Sequence, residues 1–353
     1  MIISIEISVA QASEQPVARL EEFFSEVLRS SRRGHHIVIV PRELARWAMD
    51  NVQLSGHDQA HLERIREEFT QLGSLRNDPG SRVLKVVTLH QELQTAGDQA
   101  WSIGIEEMLA GRFLDKPVLL LENATNDGDL YTELLSHEAR RRGIRSLAYQ
   151  VANGGGGTTF QEVSRFANLQ HIVVCVCDHD KLTPYSQNSE TYRKAATTAN
   201  SIDFVGTVVA TPGREVENFL PLDLVIDLFP DFPSAQRSKL EGLIHAQGTP
   251  QPRDCLWLFF DVKEGICSTR LLQKCNSNEA RGWAEAKYQI DDLEDDNTTI
   301  SGFGQNIVER LLGNGAGLAK MNKFTRSQYW LQHFATWFDA LLPFLHSRSN
   351  SRV

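Results

Sequence analysis

Two apolar runs in this 353-residue chain stop abruptly on carboxylates. Val118-Leu119-Leu120-Leu121 ends at Glu122, and residues 172–177 end at Asp178-His179-Asp180. Residues two apart in extended chain point the same way, so Asp178 and Asp180 leave the second run side by side. A glycine run, 154–157, falls between the two. Three carboxylates gathered at one edge repel one another unless a cation sits among them. A set of oxygen donors of this kind suits Mg²⁺ or Mn²⁺ rather than zinc.

The elements needed to bring these residues together are legible from residue 101 onward. Helix is expected over 103–113, strand over 118–121, helix over 129–142, strand over 146–151, helix over 160–167, strand over 172–177, helix over 190–199 and strand over 204–210. The run 172–177 is continuously apolar and largely β-branched, the pattern of a parallel strand covered on both faces. Alternating strand and helix predicts an α/β fold, a Rossmann-like parallel sheet flanked by helices with right-handed crossovers. Ligands of such sheets bind at the carboxyl ends of the strands, where Glu122, the glycines and the Asp pair all fall.

Upstream, a strand over 1–8, a helix over 17–27, a strand over 36–40, helices over 43–49 and 58–72 and a strand over 83–89 make a separate α/β region, 1–110. Downstream of Pro212 the chain turns into a helix ending near 229–230, then a helix and a Pro-rich loop over 231–253. An apolar strand over 256–262 reaches Lys263. Residues 111–265 form the central unit, and 266–353 a mainly helical region with an amphipathic helix over 329–345. The acidic stretch 291–296 is expected as an exposed loop.

The net charge of −9 argues against a wholly basic surface but leaves room for a local basic groove that binds nucleic acid. Arg29, Arg32 and Arg33, then Arg140, Arg141, Arg142 and Arg145, then Lys320, Lys323 and Arg326 read singly as solvated helix ends. Five cysteines without a C-x-x-C pair suggest a reducing compartment, with Cys175 and Cys177 as core residues. Absence of a signal-like start and of ~20 uninterrupted apolar residues predicts a cytoplasmic chain with no membrane partner. His57 and His61, spaced i, i+4, lack a third ligand and read as solvated. The glycine run lacks the Lys-Ser/Thr of a P-loop, but the amides of Gly155 and Gly156 are candidates to contact a substrate phosphate.

The order of features resembles the Toprim fold, the topoisomerase-primase type of catalytic domain: Glu122 closing the first strand, a glycine turn after the second, and D-x-D closing the third. The further stretch Arg214-Glu215-Val216-Glu217-Asn218-Phe219-Leu220 resembles the R-E-[IV]-E-N-[YF]-L motif of Toprim-like nucleases of the overcoming-lysogenisation-defect (OLD) type and their anti-phage relatives. The resemblance spans about residues 115–265. It implies that Glu122 serves as general acid/base or metal ligand, that Asp178 and Asp180 hold Mg²⁺ or Mn²⁺, and that Glu217 or Glu215 is a further ligand. Lys263 would stand against the scissile phosphate. The usual Glu-Gly is replaced by Glu122-Asn123-Ala124, with Asp127 and Asp129 following, which makes both further candidates for the acid facing the metal. Asp129 reads also as an N-cap or first-turn acid.

The implied function is a metal-dependent nuclease cutting DNA or RNA, the effector of a bacterial defence system. Any ATPase would be a separate subunit, since the chain carries no Walker motif. A second copy of itself is another candidate partner. The alternative is a non-catalytic Toprim/Rossmann-like assembly or sensor subunit.

Overall fold

The computed structural model describes residues 1–348 apart from 97–98, 246–249 and 295–297. Strands β1 (Ile2–Ile5), β2 (Ile37–Ile39), β3 (Val83–Thr88), β4 (Gln94–Thr95) and β5 (Ala100–Gly104) make one sheet in the order β2-β1-β3-β5-β4. All its pairings are parallel except β4 with β5. Strands β6 (Val118–Leu121), β7 (Gln150–Asn153), β8 (Val173–Cys177) and β9 (Gly206–Ala210) make a second, wholly parallel sheet in the order β7-β6-β8-β9. A short antiparallel pair, β10 (Gly265–Cys267) and β11 (Thr299–Ser301), lies beyond. The architecture is α/β, with helices on the faces of parallel sheets in the Rossmann manner. Among the described residues no helix is long and apolar enough to cross a membrane.

Burial explains the unbroken apolar run of β8. Val173, Cys175 and Cys177 pack with Val163, Phe166, Ala195 and Ala199 of the helices Thr159–Asn168 and Glu190–Asn200. Val174 and Val176 join the main core on the opposite face. A strand covered on both sides has no position at which a polar residue reaches water. The main core is continuous along the chain, from Met1 to Leu345.

Several sequence expectations are corrected. Residues 256–262 are not a strand: Leu256–Leu258 is a 3-10 turn, and the chain then bends through Phe259 and Phe260. The segment is apolar because it is buried, and a short apolar run does not distinguish strand from packed turn. Its carbonyls are satisfied by side chains and loop amides instead of a ladder. Asn218 Nδ2 donates to the oxygens of Trp257 (2.6 Å) and Phe260 (2.9 Å), and the Arg214 amide donates to Leu258 (2.7 Å). Residues 213–230 are likewise not one helix but a 3-10 turn, Val216–Phe219, then the helix Leu222–Leu228 restarted by Pro221.

The expected helix 329–345 is three pieces, Gln328–His333, Trp337–Ala340 and Leu342–Leu345. Its aromatic residues surround Phe219, with ring centroids of Phe334 at 4.8 Å and Trp337 at 5.2 Å, a wrap that one straight stripe cannot make. The helix expected from 129 begins at Ala124, where Asn153 Oδ1 accepts its first amide at 3.0 Å. The Asn-Asp-Gly-Asp stretch hid that turn, since these are poor helix formers. The helix expected over 103–113 runs Ile105–Ala110, its first two positions being the end of strand β5. His57 is exposed, but His61 is buried with its Nε2 3.0 Å from Ser31 Oγ. Positions 295 and 296 of the acidic stretch lie outside the described residues.

The basic clusters divide. Arg29, Arg32, Arg141 and Arg142 pair with Glu26, Asp58 and Glu138, whereas Arg33, Lys116, Arg140 and Arg145 line a cavity of about 770 Å³. Glu138 is fully buried, and Trp330 Nε1 donates to it at 3.0 Å, tying the C-terminal aromatic cluster to the helix Ala124–Arg141. Replacing Trp330 with Ala removes that bond and leaves a cavity, so unfolding free energy should fall by about 3–5 kcal/mol. Guanidinium denaturation followed by circular dichroism should show one transition shifted to lower denaturant. A second transition, unmoved by the substitution, would contradict the continuity of the core.

Candidate active site at the sheet switch point

The order β7-β6-β8-β9 places β7, the next strand in sequence, on one side of β6 and β8 and β9 on the other, so the connections diverge between β6 and β8. A crevice opens at the carboxyl ends of two such strands. Glu122 follows β6 and Asp178 follows β8, and the Asp178 amide donates to Glu122 Oε2 at 3.2 Å. The glycine turn folds over the same edge: Gly154 and Gly156 donate their amides to the oxygens of Leu121 (2.7 Å) and Glu122 (3.0 Å). Gly155 and Gly156 have φ of 73° and 62°, a region that L side chains avoid.

The other acids arrive from outside the two strands. Asp127 is buried on the first turns of the helix Ala124–Arg141 and faces inward, while Asp129, two positions on, is exposed. Glu215 and Glu217 flank the start of the 3-10 turn Val216–Phe219, where Asn218 Oδ1 accepts the Glu215 amide at 2.8 Å. Lys263 reaches both from the bend after Phe260, with Nζ 3.0 Å from Glu217 Oε1 and 3.3 Å from Glu215 Oε2. The structure thus brings Glu122, Asp127, Asp178, Glu215, Glu217 and Lys263 to one edge and leaves Asp129 outside. Asp180 stands at the rim, half exposed, in left-handed backbone (φ 55°). Between the two Asp, His179 is buried and stacked on Phe259, with centroids 5.7 Å apart.

Burial, with the crowding of like charges added to it, sets the protonation of the group. Burial pushes the Asp127 carboxyl up to about 6 and Glu215 up to about 7, with Lys263 pulling both the other way. Asp178 is raised well above the usual range by burial, and the carboxylates of Glu122, Asp127, Glu215 and Asp180 add to the effect. Glu122 and Glu217 are raised for the same first reason. Lys263 loses by burial but is held protonated by Glu217, Glu215 and Asp127. The buried atoms Asp127 Oδ1, Glu215 Oε2 and Glu217 Oε2 have no hydrogen-bond partner among the described residues, although Glu215 Oε2 faces the Lys263 ammonium at 3.3 Å.

Arg214 and Asp261 carry roles that sequence reading did not assign. Asp261 is buried and accepts from Arg214 Nε at 3.2 Å and Arg270 Nη2 at 2.9 Å. Arg214 Nη1 in turn donates to the Asp180 carbonyl oxygen at 2.5 Å, so Asp261 fixes the backbone at the rim of the site. The signal was present as one Asp inside the apolar run Leu256-Trp257-Leu258-Phe259-Phe260-Asp261-Val262, since a buried charge persists only with partners.

The donor chemistry fits a hard divalent cation: the oxygens are carboxylate, and three buried ones lack a hydrogen-bond partner among the described residues. Among the described residues, however, no group of three His, Cys, Asp or Glu converges as a metal cage, so an ion would require side chains at the edge to rotate toward it. No protein-family model matches this chain, and no curated protein or solved structure is significantly similar to it.

A carboxyl whose pKa is raised on folding holds its proton in the native state while the unfolded chain has already released it. Stability contributed by Asp127 and Glu215 is therefore present at acid pH and lost as pH rises from about 4 through about 6 and 7. Thermal melts in EDTA should show the melting temperature falling across that window, and Asp127→Asn should flatten the fall and stabilise the protein at pH 7.5 by on the order of 2 kcal/mol. A melting temperature that rises from pH 4.5 to 7.5 equally in both proteins would overturn this account of the site.

Proposed function

We propose that this chain is a divalent-metal-dependent phosphodiesterase, a nuclease of Toprim-like type acting within a bacterial defence system. The observation that carries the reading is the set of buried carboxylates with Lys263 among them at a sheet switch point, three of their oxygens lacking any hydrogen-bond partner among the described residues. The four-stranded parallel sheet is compatible with that fold, and the Toprim assignment itself rests on the resemblance of Glu122, the glycine turn, Asp178-x-Asp180 and the Arg214 to Leu220 stretch.

Glu122, Asp127, Asp178 and Glu217 would hold Mg²⁺ or Mn²⁺, with Asp180 at the rim. A divalent ion bound there supplies Lewis acidity toward phosphoryl oxygens and water. Lys263 offers an ammonium to a non-bridging phosphate oxygen. Glu215, whose carboxyl titrates near neutral pH, can accept or return a proton at working pH. Arg214, held by Asp261, fixes the Asp180 backbone so that the rim does not shift when substrate enters.

The second reading is a non-catalytic assembly or sensor subunit. It is favoured by one observation: Lys263 already supplies a cation to Glu215 and Glu217, and no three-ligand cage exists among the described residues. Incubation with single- and double-stranded DNA and RNA in Mg²⁺ or Mn²⁺, alone and with a candidate ATPase subunit, separates the two. Asp178→Asn and Glu122→Gln should each cut at least ~100-fold more slowly than wild type. Asp129→Asn, on the exposed side of its helix, should stay within about twofold. Cutting that survives in the Asp178 and Glu122 variants, or calorimetry in which neither cation binds the wild-type protein, would leave the assembly reading in its place.

A further inference from the structure

A cleft of about 720 Å³ opens directly beside Asp180 and Arg214. It is walled by the loop that follows Asp180, by Arg193 of the helix Glu190–Asn200, and by Arg270 and Lys274 of the helix Ser268–Lys274. The acids lining it are Asp180 and Glu190, and Glu190 is paired with Lys194 at 2.7 Å. Arg193 and Lys274 are exposed and form no ion pair with a described carboxylate. In a chain of net charge −9, that leaves a local excess of positive charge at the mouth of a carboxylate site.

Tyr185 lines the same cleft and is 42% exposed. The Arg253 guanidinium lies over one face of its ring, 4.7 Å from the centroid, and steadies it from outside the residues that line the cleft. Cations that follow a backbone, together with an aromatic face in a groove, form the combination that holds single strands. A tyrosine ring stacks only on a base face left open, and in a duplex those faces are already covered by neighbouring bases.

We infer that this cleft binds an unpaired nucleic-acid strand, with phosphates on Arg193 and Lys274 and a base stacked on Tyr185. It thereby delivers a single-stranded segment to the carboxylates. This deepens the nuclease reading and rests on it for the delivery step, whereas binding itself can be measured without catalysis.

The test is fluorescence anisotropy in EDTA with labelled 12-nucleotide DNA and RNA strands and the corresponding duplexes, using the full chain. A single strand of at least one of the two chemistries should bind about tenfold or more tightly than its duplex. Tyr185→Ala should weaken that binding about tenfold, and Tyr185→Phe, which keeps the ring face, should restore it. Arg193→Glu combined with Lys274→Glu should weaken it further and reduce the slope of log affinity against log salt by about 1.4, two contacts at ~0.7 each. All three positions are exposed, so thermal melts should match wild type.

Duplex bound as tightly as single strand, or Tyr185→Ala bound as tightly as wild type, overturns the inference. The outcomes are separable from those of the nuclease reading. Strand binding with this variant pattern but no cutting in Mn²⁺ sustains the cleft and removes the nuclease. Cutting with unchanged binding in Tyr185→Ala does the reverse.

Discussion

Repulsion among carboxylates that share one poorly solvated sheet edge is the constraint around which the central part of this protein is arranged. Glu122 and Asp178 are forced together because β6 and β8 are adjacent and in register, Leu121 opposite Val176. Asp127 comes down from the helix above, and Glu215 and Glu217 from the turn beyond β9. Such a group is tolerated only with compensation. Part of it is the Lys263 ammonium, and part is protonation, with burial raising the carboxyls toward neutral pH. The loop that supplies Lys263 is therefore as much a component of the site as the strands are. Asn218 holds that loop by two backbone oxygens, and Trp257 Nε1 returns a bond to the Leu220 oxygen at 2.7 Å.

What could be read in advance followed from how strongly each segment's pattern was tied to its surroundings. The run into Asp178 was legible because a strand buried on both faces leaves no polar position, and the periodicity of residues 17–27 because a half-buried helix repeats its apolar residues every three to four positions. The first acidic strand end was clear as far as Glu122. The Asn-Asp-Gly-Asp stretch after it concealed a helix start that depends on Asn153, a residue far away in sequence. The same dependence on distant partners hid the bend at 256–262, whose hydrogen bonds come from Asn218 and Arg214. It also hid the breaks in the C-terminal helix, which exist because the aromatic residues close around Phe219.

Position within the sheet distinguishes acids that look alike in sequence. Asp127 and Asp129 are separated by one glycine, yet one is buried among the carboxylates and the other meets water, because two residues on a helix turn about 200°. Asp178 and Asp180 leave the same strand end, but the chain turns at His179. Asp178 remains in the crevice, and Asp180 moves to a rim that borders the cleft of Tyr185. The inner acids suit charge held in a protected place, and the outer one suits first contact with whatever enters.

The left-handed backbone at Asp180 bears on how this sequence can drift. Glycine would adopt that conformation without steric cost, and the relief relative to a side chain with a Cβ is about 1 kcal/mol. A single-base change in an aspartate codon reaches glycine or asparagine, the two residues most at ease there. Folding stability thus pushes position 180 away from a carboxylate, toward residues a single base change can supply. An aspartate at this position stands against that pressure, and variation there reports on chemistry more directly than variation in the buried strands, where packing alone restricts the choice.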